Sequence, residues 1–117
     1  MARFRLSLLA RGDLQQILAV SFHQFGVEGR QRYAAVLAAG MRKVAAEPEG
    51  PATRNRADLS RGIRSFHLRN ARADETERKV RRPVHVLYYR AVEPGLIEIV
   101  RVLHERMEPS RHISSDD

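Results

Sequence analysis

At the start of the chain Phe4, Leu6 and Leu8 alternate with Arg3, Arg5 and Ser7. A period of two belongs to a half-buried strand and predicts β structure over residues 3–9. The period then lengthens. Leu14, Ile17, Leu18, Ser21, Phe22 and Phe25 recur at the spacing of one helical face. Asp13 is expected in the first turn, where a carboxylate suits the helix dipole. Gly26 is expected to end this helix. A second starts near residues 27–30 and carries Tyr33, Val36, Leu37, Met41 and Val44 on its apolar stripe. Ala34, Ala35, Ala38, Ala39 and Gly40 are small enough to let that helix pack closely. Pro48, Gly50 and Pro51 stop it. The two helices read as an antiparallel pair joined by a very short turn.

Residues 48–61 are polar and irregular. Residues 63–68 read as a strand, with Arg64, Phe66 and Leu68 on one side and Ile63, Ser65 and His67 on the other. Residues 69–82 carry six basic and three acidic side chains without apolar periodicity, the pattern of an exposed loop. Two β-rich runs, 83–90 and 96–107, flank Glu93-Pro94-Gly95 and predict a hairpin. Residues 109–117 form a polar tail with room for one helical turn. The order is β-α-α-β-β-β, an α+β fold with a helical hairpin packed on a mainly antiparallel sheet. One domain is expected over 1–113, with a flexible tail at 114–117.

Charge sharpens this picture. Lysine and arginine total 21 against 14 acidic residues, a net charge of +7. Only Lys43 and Lys79 are lysines, so nearly all the positive charge is guanidinium. Arginine grips carboxylate or phosphate through paired donors, so a basic surface points to an acidic partner. With no cysteine, disulfides and thiolate metal sites are excluded. No apolar run approaches the roughly 20 residues of a membrane span, so a cytoplasmic protein without membrane contact is expected.

Candidate chemistry is sparse. His23, His67, His85, His104 and His112 form no tight pair at ligand spacing, and although His85 and His104 could face each other across the hairpin, no metal and no cofactor are expected. Serine sits in no strand-turn-helix elbow, and the seven glycines are scattered. What remains is a set of cations on the last three strands: Arg64, Arg90, Arg101, His104 and Arg106. Such a set suits phosphate binding, carboxylate binding or acid-base chemistry on RNA. Arg90 and Arg101 read best as strand positions neutralised by Glu98 or Glu105.

The opening strand, the segment Ala10-Arg11-Gly12-Asp13-Leu14-Gln15-Gln16-Ile17, the strand Gly62-Ile63-Arg64-Ser65-Phe66-His67-Leu68 and the run Ile97-Glu98-Ile99-Val100-Arg101-Val102-Leu103-His104-Glu105-Arg106-Met107 together resemble the ParE toxins of the RelE/ParE superfamily. The resemblance spans residues 3–113. It implies the toxin half of a type II toxin–antitoxin system, arresting growth by inhibiting DNA gyrase without catalysis of its own. It also implies neutralisation by a ParD-type antitoxin with an acidic amphipathic C-terminal segment, and contact with operator DNA only through that antitoxin. The family's glycine-arginine strand pattern carries onto Gly62 and Arg64, and its strand-ending histidine-x-arginine onto His104 and Arg106. Arg64, His104 and Arg106 are therefore expected to bind the target. The antitoxin is expected on Leu18, Phe22, Tyr33, Leu37, Met41, Arg90 and Arg101.

Two other readings compete. A RelE-like, ribosome-dependent mRNA endonuclease on the same fold would use Arg64, Arg106 and Tyr88 or Tyr89. A simple nucleic-acid-binding module would rely on the arginine-rich loop, but aromatic platforms are few, with three tyrosines and four phenylalanines.

Overall fold

The computed structural model describes residues 2–71 and 82–114. In chain order the elements are β1 (Arg3–Leu6), α1 (Leu8–Ala46), β2 (Thr53–Asn55), β3 (Arg64–His67), β4 (His85–Glu93) and β5 (Leu96–His104). Short 3-10 turns cover Leu68–Ala71 and Pro109–Arg111. The five strands form one sheet in the order β1-β5-β4-β3-β2. β1 runs parallel to β5, and every other pairing is antiparallel.

α1 is a helical hairpin. Its 39 residues would make a straight rod about 58 Å long, yet the molecule measures 37 Å along its longest axis. The reversal falls at Gly26, with φ 74° and ψ −168°. That region is essentially closed to residues with a Cβ, so glycine is required there. The limb 8–25 starts beside mid-β5, where Ser7 N–H donates to the Ile99 carbonyl at 3.0 Å, and by Asp13 it has reached Val102. The limb 27–46 runs the other way. Tyr33 meets His85, and Ala45 and Ala46 line a shallow cleft with Ala91, Leu96 and Ile97. Both limbs lie on one face of the sheet. There Ile17, Tyr33, Leu37, Met41 and Val44 close a core with Phe66, Leu87, Tyr89, Ile97, Ile99 and Val102. Gly40 marks the closest approach, since a Cβ there would sit 2.6 Å from Leu68 Cδ2.

The helix begins earlier than the alternation suggests. β1 stops at Leu6 because the Ser7 hydroxyl accepts the Ala10 N–H at 3.0 Å and caps the helix. Leu8 and Leu9, read as strand, are helical and stand 79% and 59% exposed. Asp13 is not a dipole partner in the first turn. Its carboxylate binds Arg101 through both oxygens at 2.9 Å and accepts the Val102 N–H at 2.9 Å. It thereby replaces β1 as the partner of β5 beyond Ile99.

β5 carries a bulge. Pairing steps from Tyr88–Arg101 to Tyr89–Ile99 and leaves Val100 as the extra residue. Strict alternation would have put Arg101 into the helix-side core with Ile97 and Ile99. The bulge shifts the phase, so Val102 joins that core while Val100 and Leu103 face the opposite side. On that side a second, smaller core gathers Leu59, Ile63, Tyr88, Val100, Leu103 and Ile113. The irregular stretch 48–61 therefore supplies an edge strand and a buried leucine, and the polar tail delivers a buried isoleucine through its 3-10 turn. The expected loop opens inside a packed turn, since Leu68 and Ala71 are buried. Residues 72–81 of that loop and 115–117 of the tail lie outside the described residues.

Candidate functional site

Polar side chains gather at two ends of the sheet and are treated oppositely there. At one end Arg64 Nε donates to the Pro48 carbonyl at 3.1 Å, and its Nη2 donates to Thr53 Oγ1 at 2.8 Å. The same Pro48 carbonyl accepts the Tyr89 hydroxyl at 2.6 Å. Thr53 in turn donates to the Gly50 carbonyl at 2.7 Å. Arg64 and Tyr89 thus pin the chain where it leaves the second helical limb. Burial pushes the Tyr89 hydroxyl pKa above its ordinary value, so this network stays protonated.

The other end holds His67, His85 and His104, which come from β3, β4 and β5. His85 and His104 face each other across the hairpin, ring centroids 5.5 Å apart and planes at 80°. His85 Nδ1 lies 2.6 Å from the Tyr33 hydroxyl. His67 Nε2 lies 2.7 Å from Glu105 Oε1, and that hydrogen bond lowers the Glu105 pKa. His85 is pushed down to about 4, first by desolvation and then by the positive charges that His104 and His67 can carry. It is neutral at physiological pH. Arg106 is exposed beside this cluster, and its backbone N–H donates to His104 Nδ1 at 3.0 Å.

The predicted target set is therefore split. His104 and Arg106 lie together, but Arg64 pairs with Tyr89, four residues of β4 away from the His85–His104 rung. That is about 13 Å along the strand. The predicted antitoxin set is split as well. Tyr33, Leu37 and Met41 are 8%, 2% and 6% exposed and belong to the core, so they present almost no surface. Arg101 is held by both oxygens of Asp13 and by the His112 carbonyl, each at 2.9 Å. Arg90 sits opposite Glu98. Leu18 is half-buried and Phe22 is 41% exposed. Phe25, on the same face, is 66% exposed and extends this apolar surface toward the Gly26 reversal, while Val20 and Val27 are 45% and 50% exposed.

Of the residues of the endonuclease reading, Arg64 and Tyr89 meet at the Pro48 carbonyl, but Arg106 lies at the histidine end. Tyr88 and Tyr89 are 5% and 0% exposed, on opposite faces of the sheet. Among the described residues no group of three or more His, Cys, Asp or Glu could hold a metal ion. No described helix is long and apolar enough to cross a membrane. Sequence reasoning missed Tyr33, His67 and Glu105 as members of the histidine cluster. Only the cross-strand pairing of His85 and His104 was legible, from the hairpin.

Comparison with known proteins agrees with this architecture. The family model for the ParE toxin of type II toxin–antitoxin system, parDE, matches residues 4–109. Toxin ParE1 of Mycobacterium tuberculosis, in strains CDC 1551 / Oshkosh and ATCC 25618 / H37Rv, is 29% identical over 115 residues. That match covers 96% of this chain and 98% of the relative. A solved chain from a chromosomal ParDE TA system of P. aeruginosa superposes with a TM-score of 0.62 at 16% identity. It covers 89% of this chain and 96% of the other, a likeness of fold. With the family model spanning all but the ends, the chain belongs to the ParE family of type II toxin–antitoxin toxins.

Proposed function

We propose that the protein inhibits DNA gyrase and is held inactive by a ParD-type antitoxin. Membership of the ParE family carries the reading, and the surface chemistry supports it. The target contact is assigned to the histidine end, where His104 and Arg106 lie side by side. Arg64, which anchors the chain at Pro48 at the other end of the sheet, is assigned to the fold.

The antitoxin contact is assigned to the outer helical surface. Leu18, Phe22 and Phe25 follow i, i+4, i+7 and form one stripe that continues outward from the core. An exposed stripe of this kind marks a docking surface, and aromatic anchors supply most of the affinity. The Arg30 guanidinium lies over the Phe22 ring at 5.2 Å, so an arginine rims the stripe and suits an acidic amphipathic segment.

The test is supercoiling of relaxed plasmid by purified gyrase. The protein is expected to block it, and a ParD-type antitoxin to restore it. Phe22→Glu is expected to preserve the block and abolish the rescue. Normal supercoiling alongside transcripts cut at codons would overturn the proposal.

A further inference from the structure

At the histidine end the hydrogen bonds determine which ring nitrogen carries the proton. His67 Nδ1 accepts the Arg69 N–H at 3.1 Å, and His104 Nδ1 accepts the Arg106 N–H at 3.0 Å. The Tyr33 oxygen accepts the Val84 N–H at 3.2 Å, which leaves its own hydrogen to donate to His85 Nδ1 at 2.6 Å. In each ring Nδ1 is thus an acceptor, so a neutral imidazole carries its proton on Nε2. His67 uses that Nε2–H on Glu105. Those of His85 and His104 have no hydrogen-bond partner among the described residues. They are not wholly sealed off either, because among the described residues no buried side-chain nitrogen or oxygen lacks a partner. Two neighbouring N–H donors are therefore unanswered by the described residues.

This arrangement narrows the chemistry. A protonated Nε2 with an occupied Nδ1 offers no lone pair to a metal or to a reacting hydroxyl. It can only donate. The two rings pack edge to face with centroids 5.5 Å apart, so their donors belong to neighbouring side chains on one patch. The carboxylates whose charge reaches His85 are Glu105 and Asp13, and both are engaged, by His67 and Arg101 respectively. The adjoining Arg106 adds a guanidinium on a chain of net charge +7.

We propose that His85, His104 and Arg106 form a binding site for a phosphodiester group of nucleic acid. The inference deepens the assignment of this end as the target surface. It adds that the group met there is nucleic-acid phosphate and names His85, set by Tyr33, as a second donor.

Two substitutions separate ligand binding from strand capping. His104→Asn keeps a group where Nδ1 receives the Arg106 N–H and removes the distal donor. His104→Gln does the reverse. The full chain would be titrated against fluorescein-labelled duplex DNA of about 20 base pairs without gyrase, with polyglutamate as a second probe, and thermal melting would confirm folding. His104→Asn is expected to weaken DNA binding about three- to tenfold, the range of one lost hydrogen bond, and His104→Gln to stay within about twofold of wild type. Arg106→Gln is expected to flatten the salt dependence by about one released ion, and the neutral histidine changes to leave it unaltered. Equal effects of the two His104 variants, or polyglutamate binding with the same mutational pattern, would overturn the phosphate site. If His104→Asn abolished gyrase inhibition yet left DNA binding intact, the phosphate site would fail and the target surface would stand. Loss of DNA binding on His104→Asn, with gyrase never inhibited by wild type, would uphold the site and refute the proposed target.

Discussion

The two ends of the central sheet use similar residues to opposite effect. At the Pro48 end an arginine and a tyrosine converge on one carbonyl, and Thr53 closes the set, so their polar groups are spent inside the fold. At the histidine end, fixed backbone and tyrosine contacts occupy one nitrogen of each ring, and the Nε2–H donors of His85 and His104 have no acceptor among the described residues. Charge alone does not distinguish these ends. What distinguishes them is whether each donor already has an acceptor, because a satisfied buried donor holds the fold and an unsatisfied accessible one is available to a ligand.

Mutations grade this contrast, from large structural effects to none. Asp13→Ala should cost the most, about 3 kcal/mol in denaturant unfolding, because it takes the carboxylate away from the Arg101 guanidinium and the acceptor away from the Val102 N–H. Arg64→Ala should cost about 2 kcal/mol, seen as a melting temperature lower by roughly 8 °C. Were its stability unchanged and only its activity lost, Arg64 would belong to the target surface after all.

Acid probes the histidine end. His85 titrates near 6.5 when unfolded and about 4 when folded, so the unfolded chain binds more protons between those values. Stability is thus complete above pH 6.5 and falls as the pH drops toward 4. The loss, discounted for the ring's partial exposure, is on the order of 2 kcal/mol. Denaturant midpoints across that range should show the slope in wild type and lose most of it in His85→Asn. Tyr89→Phe should cost about 1 kcal/mol, since Pro48 keeps its bond from Arg64. His104→Asn should change stability by less than about 0.5 kcal/mol, because its strand-capping contact is retained.

The architecture was legible wherever periodicity is local. The helical stripe through Leu14, Ile17 and Leu18, the reversal at Gly26 and the hairpin about Pro94-Gly95 are all written in short-range spacing. Three features were not. Ser7 interrupts an apparently continuous alternation because its hydroxyl caps a helix, a competition that spacing cannot weigh. Asp13 looked like a dipole partner, and only the tertiary fold brings Arg101 to it. The bulge at Val100 left a trace in Val100-Arg101-Val102-Leu103, where a charged residue falls on the core phase, but the shift that resolves it is visible only across the strand pair. In the candidate site, His85 and His104 could be paired from the hairpin. Tyr33 comes from the helical layer and Glu105 binds across to β3, so their membership required the packed structure. Phe22 and Phe25 followed the core spacing, yet they lie where the helix has passed beyond the main core and became surface.

Gyrase inhibition by matched variants tests the contrast most directly. Wild type, Arg64→Ala and His104→Asn would be titrated into a supercoiling assay at a temperature where all three are folded. Arg64→Ala is expected to inhibit within about twofold of wild type, and His104→Asn to require at least about threefold more protein. Full potency of His104→Asn, with potency lost instead in a folded Arg64→Ala, would contradict the assignment of the histidine end as the surface that meets the target.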